Sequence, residues 1–151
     1  MHLSPEGLNL IKQSEGFRSR TYLDAAGFPS IGYGHRLLPH ESFAEGITEA
    51  QAAEILAGDV DQAEQAVQRL VKVALTQGQF DALTDFCFNL GSGRLASSTL
   101  LKTLNAGRYD DARAQLLRWN EVGGEVRCGL AARRQAEFQL WATPVQKQPA
   151  A

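Results

Sequence analysis

Three oxygen-bearing side chains, Glu15, Asp24 and Ser30, fall within the single stretch SEGFRSRTYLDAAGFPSIGYGH. A glutamate closing a helix, an aspartate in a turn and a hydroxyl entering a strand suit one kind of chemistry. A protonated carboxyl can donate to a leaving oxygen while an ionised carboxylate and a hydroxyl hold water on the far side of the bond. Hydrolysis of a glycosidic bond needs that pair of actions. The two acids must then differ in proton affinity. Partial burial or a nearby negative charge is expected to raise Glu15, and solvent and hydrogen bonds to keep Asp24 low. Each residue also has a plainer reading: a surface carboxylate at a helix end, a turn-starting aspartate, and an ordinary strand hydroxyl.

The elements around these residues must position them. Ser4 and Pro5 open PEGLNLIKQSE, with Leu8, Ile11 and Lys12 at helical spacing, and the helix ends near Gly16. Arg18, Arg20, Tyr22 and Asp24 then alternate with smaller residues, AAGF turns, and PSIGYGHRL reads as a second strand. Gly32 and Gly34, on either side of Tyr33, leave room for a ligand or another backbone. Thr48 to Gln51 forms a capping box opening a long helix to about Leu70, in which Gly58 is either a weak point or a break between two shorter helices. Thr76 to Gln79 forms another, opening QFDALTDFCFNLG, apolar nearly all round and therefore the central buried helix.

GSGRLASS reads as a loop, and Ser98 caps STLLKTLN before Gly107. Asp110 is expected to cap DARAQLLRWNEV, Gly123 and Gly124 to break the chain, and Leu130 to Trp141 to form the last helix. The fold class is α+β: mostly helical, with a small N-terminal antiparallel sheet and a C-terminal helical lobe. The site falls where the first helix meets the sheet.

Composition narrows the function. A net charge of −2 over 151 residues argues against a nucleic-acid binder. The chain shows no secretory h-region and no run of about eighteen apolar residues, which predicts synthesis in the cytosol without membrane insertion. Cys87 and Cys128 have no metal or CxxC spacing and are expected to be reduced. No metal or cofactor is expected, and the absence of a heptad seam fits a monomer.

The pattern E-x8-D-x5-S-I-G-Y-G-H strongly resembles the phage lysozymes of the T-even and lambdoid type. The likeness continues through FNLG at Phe88 to Gly91, STLLKTLN at Ser98 to Asn105 and GLAARRQAEFQLW at Gly129 to Trp141. It implies a lysozyme-like catalytic domain over residues 1–143. Its β-containing lobe would span about 12–47, a linking helix about 48–73, and a helical lobe about 74–143 together with the N-terminal helix. Residues 144–151 would form a flexible tail. The implied activity is inverting hydrolysis of the bond between N-acetylmuramic acid and N-acetylglucosamine in bacterial peptidoglycan. Glu15 would be the acid, with Asp24 and Ser30 handling water.

The resemblance also implies host lysis. The protein would wait in the host cytoplasm until a holin-like pore protein admits it to the periplasm and wall. Ser30 stands where the family usually has threonine; the hydroxyl is kept and the rotamer-restraining methyl lost, which predicts activity retained at some cost. His35 either bonds a carboxylate and ties the sheet to the helical lobe or touches substrate. Phe88 is core or a wall of the sugar cleft. Trp119, Trp141, Arg133 and Arg134 are expected to pack and solvate the last helices. The rival readings are a lytic transglycosylase, against which Asp24 argues, and a wall-binding protein that has lost turnover.

Overall fold

Residues 1–143 are described by a computed structural model; the tail expected over 144–151 lies outside the described residues. Helix α1 (Pro5–Glu15) starts where the Ser4 side chain accepts from the Gly7 N–H, and it stops at Gly16, whose φ of 69° leaves the helical region. Glu15 is therefore the final residue of a capped helix. Strands β1 (Arg18–Leu23), β2 (Pro29–Gly32) and β3 (His35–Arg36) follow as an antiparallel sheet in that order. The expected second strand is in fact two. Gly32 and Gly34, at φ 65° and 69°, reverse the chain around Tyr33.

Helix α2 (Glu49–Leu70) runs unbroken for 22 residues, so Gly58 is a weak point within one helix and not a break between two. Gly58 is exposed, and Leu56 and Val60 on either side of it are buried. Burying such side chains stabilises by about 1.5–3 kcal/mol each, more than the roughly 1 kcal/mol that a glycine costs in a helix. Both capping boxes form, at Thr48 with Gln51 and at Thr76 with Gln79. Helix α3 (Gln77–Leu90) is the buried centre of the molecule, packed by α1, α2 and α7.

Three further expectations change. The stretch after Gly91 contains a short helix, α4 (Ser92–Ala96), where a loop was expected. After α5 (Thr99–Asn105), capped by Ser98, helix α6 (Tyr109–Leu116) begins at Tyr109; Asp110 lies inside its first turn and does not cap it, though its charge still favours that end. Gly123 and Gly124 turn a hairpin between β4 (Glu121–Val122) and β5 (Glu125–Val126), and α7 (Cys128–Trp141) starts two residues before the expected Leu130. Cys87 is a buried free thiol and Cys128 an exposed one. Among the described residues, no helix is long and apolar enough to cross a membrane.

Two apolar clusters hold these elements. Ile11, Tyr33, Ala52, Leu56 and Val60 fasten α1 and the sheet to the first half of α2. The larger cluster gathers the end of α2 with α3 to α7, around Phe80, Leu83, Phe86, Leu100, Leu104 and Leu116. Phe88 touches both. A Cβ on Gly78 would overlap the Leu140 carbonyl, so glycine is what lets α3 and α7 approach backbone to backbone. That approach brings the arginines of α7 behind the end of α1.

Candidate active site

A cleft of about 700 Å³ opens between the sheet and the helices, and Glu15, Asp24, Ser30, His35 and Phe88 all line it. Glu15 enters from the end of α1. Its Oε1 accepts from Arg133 Nη1 at 2.7 Å, and a Cβ on Gly34 would overlap Oε2. One carboxylate oxygen is thus tied down and the other occupies space that only a glycine leaves open. Tyr22 sits close by: burial, then the Glu15 charge, raises its phenol above the ordinary value.

Asp24 organises the β1–β2 turn. Its Oδ1 accepts from the N–H groups of Ala26 and Phe28, both at 2.9 Å, and its Oδ2 from Arg36 Nη2 at 3.1 Å. The Phe28 N–H, then Arg36 and the Ala26 N–H, hold its carboxyl below the usual aspartate value. This matches the low proton affinity expected of it. The register sets Tyr22 opposite Ser30 and Ser30 opposite Arg36, so three cleft-lining side chains form one row across the sheet. Ser30 is 1% exposed and its Oγ donates to the Phe28 carbonyl at 3.3 Å, leaving its lone pairs able to accept.

His35 is gripped at both ring nitrogens, Nδ1 by Asp59 of α2 at 2.8 Å and Nε2 by Glu41 at 3.0 Å. It ties the sheet to α2 while its ring faces the cleft. Partial burial opposes its charge, but the bonds to Glu41 and Asp59 outweigh that and raise its pKa.

Sequence reasoning missed the support behind Glu15. Arg133, expected at the solvated surface, is 7% exposed and donates to Asp85 through Nε and Nη2 as well as to Glu15. Desolvation opposes its charge, but Asp85 and then Glu15 overcome it and hold the guanidinium protonated. Arg134 is fully buried and donates through Nη2 to Glu137 and Asn89. Burial, with the Asp85 carboxyl beside it, pushes Glu137 up. The signal available was an Arg-Arg pair in a helix with two aspartates, Asp81 and Asp85, in the buried helix; the pairing partners lie 48 and 118 positions away. Trp119 and Trp141 do pack: Trp141 is buried, and Trp119 meets Phe86 edge-on at 5.4 Å.

The phage lysozyme family profile matches residues 12–137, which contain Glu15, Asp24, Ser30 and both arginines. The chain belongs to the phage lysozyme family. It is 42% identical over 145 residues to the endolysin of Bacillus phage B103, covering 95% of this chain and 55% of that one. It is 40% identical to the endolysin of Acyrthosiphon pisum secondary endosymbiont phage 1, covering 93% and 98%. The chain thus spans about half the length of one relative and nearly all of the other. This lysozyme-like fold also superposes on the muramidase domain of SpmX from Asticaccaulis excentricus with a TM-score of 0.85 at 36% identity, over 95% of this chain and all of that one.

Proposed function

We propose that the protein is an endolysin that hydrolyses the β-1,4 bond between N-acetylmuramic acid and N-acetylglucosamine in peptidoglycan, with inversion. The observation that carries this reading is one cleft lined by two acids with unlike surroundings: Glu15 at a helix tip against Arg133, and Asp24 in a turn of N–H donors. Glu15 donates a proton to the departing glycosidic oxygen. Asp24, ionised, takes a proton from a water that Ser30 helps to hold, and that water attacks the opposite face of the sugar. Phe88 offers the sugar an apolar surface, and His35 shapes the wall beside it. The two phage relatives are named endolysins, which supports a peptidoglycan-lytic role. Its place of action is then the bacterial wall, reached through a pore-forming partner.

Clearing of purified peptidoglycan by wild type, Glu15→Gln, Asp24→Asn and Ser30→Ala tests this. Loss of the general acid lowers the rate by about 10²–10⁴-fold. Mass spectrometry of the wild-type products shows hydrated reducing ends; anhydro sugars would mark a transglycosylase instead. A Glu15→Gln protein that clears wall like wild type ends the proposal, and a wild type that binds without clearing makes the chain a wall-binding protein.

A further inference from the structure

The cleft holds one neutral polar side chain whose orientation is imposed from behind. Asn89, on the last turn of α3, lines the cleft next to Phe88. Its Oδ1 accepts from Arg134 Nη2 at 2.9 Å, and the same nitrogen donates to Glu137 Oε1 at 2.6 Å. Arg134 and Glu137 are fully buried, yet Arg134 Nε and Nη1 have no hydrogen-bond partner among the described residues. Apolar side chains of like volume would fill that space as well or better, so a buried arginine with two nitrogens unmet is a poor device for stability. What it accomplishes is to occupy the acceptor end of the Asn89 amide. The donor end, Nδ2, makes no hydrogen bond among the described residues, and it carries two N–H groups.

We infer that Arg134, backed by Glu137, is a positioning residue that turns the Asn89 amide so that its N–H groups bind a carbonyl oxygen of the substrate. A neutral acceptor fits better than a carboxylate, because Glu15, Asp24 and Asp59 also line the cleft. Two parts of a wall fragment carry such an oxygen: the sugar acetamido group and the amides of the stem peptide. Only the naming of these sources rests on the function proposed above.

The experiment is an NMR titration of the ¹⁵N-labelled full chain, with the Asn89 side-chain amide identified by its loss in Asn89→Asp. The amide resonances shift with tri-N-acetylchitotriose and stay still with the de-N-acetylated trimer. A shift only with a sugar-free stem peptide assigns the carbonyl to the peptide, and no shift with any of the three overturns the inference. Turnover on wall supplies an independent arm. Asn89→Asp keeps an acceptor for Arg134 and so preserves a structural role, but it presents an acceptor to the cleft. A roughly tenfold rise in KM is expected, the scale of one lost hydrogen bond, with kcat within about twofold and the melting temperature unchanged. Arg134→Lys, which keeps the charge beside Glu137, raises KM in the same way. A wild-type KM in Asn89→Asp overturns the proposal even if Arg134→Lys does not fold. If wild type releases no reducing ends, the hydrolase reading falls while the amide titration still decides this one.

Discussion

At the scale of single residues, the candidate acid is held by what its neighbours lack as much as by what they supply. Gly34 has φ 69°, where any other residue is strained by about 1–2 kcal/mol, and its missing Cβ is the space taken by Glu15 Oε2. Gly34→Ala is therefore expected to lower stability and to displace Glu15, reducing wall clearing at least tenfold. Gly107→Ala provides the control. Its φ of 80° carries the same strain, but a Cβ there meets nothing within 4 Å, so it lowers the melting temperature and leaves clearing intact. Equal activity in the two variants would show that Gly34 serves the turn alone. Arg133 is the other support. Removing it would leave Asp85, which is fully buried, without its cation, and losses of that kind cost about 3–5 kcal/mol.

At the scale of elements, α2 teaches the limits of local propensity. A glycine in mid-helix weakens the helix, but Ala52, Leu56, Val60, Ala63 and Val67 lock one face of α2 into both cores across that point. Packing carries the helix past Gly58. Because a Cβ at Gly58 meets nothing within 4 Å and the backbone is helical, Gly58→Ala should stabilise the protein by about 0.4–1 kcal/mol, read as a higher urea midpoint with unchanged slope. A fall in the midpoint would mean that α2 needs a weak point there. The β2–β3 turn shows the opposite case. PSIGYGHRL has the alternation of one strand, yet two glycines at positive φ bend it, and the bend sets Gly34 against Glu15 and His35 beside α2.

At the scale of the whole molecule, His35 is the polar clasp between the sheet and α2. The bonds to Glu41 and Asp59 raise the histidine pKa above 6.5, and the His35 bond, then the Leu38 N–H, lowers Glu41 below 4.5. A raised histidine contributes stability that is complete below its unfolded value and disappears as pH climbs through its folded value. A depressed glutamate contributes above its unfolded value and loses that contribution as pH drops through its folded value. The clasp is thus strongest between about pH 4.5 and 6.5. Melting temperatures of wild type and His35→Asn should differ most in that window and converge toward pH 9; a gap that does not change with pH would contradict the ion-paired clasp.

The local features of the fold were legible in the chain because short-range chemistry writes them. Ser4 with Pro5, the two Thr-x-x-Gln boxes, Ser98 and Gly16 all mark helix ends through contacts within four residues, and each helix end falls where they indicate. The spacing of Glu15, Asp24 and Ser30 also survives folding as one cleft, since a single helix end and a single hairpin carry all three. That His35 bonds a carboxylate was legible; the guanidinium behind Glu15, the choice of Asp59 on α2 as a His35 partner and the turn of the Asn89 amide were not. Each depends on a partner tens of residues away, and hydrogen bonds of that kind leave no periodicity in a sequence. An arginine pair on a helix reads as a solvated face until the fold buries it against Asp85 and Glu137. Burial and long-range charge pairing are properties of the assembled core, and here they hold the candidate chemistry in place.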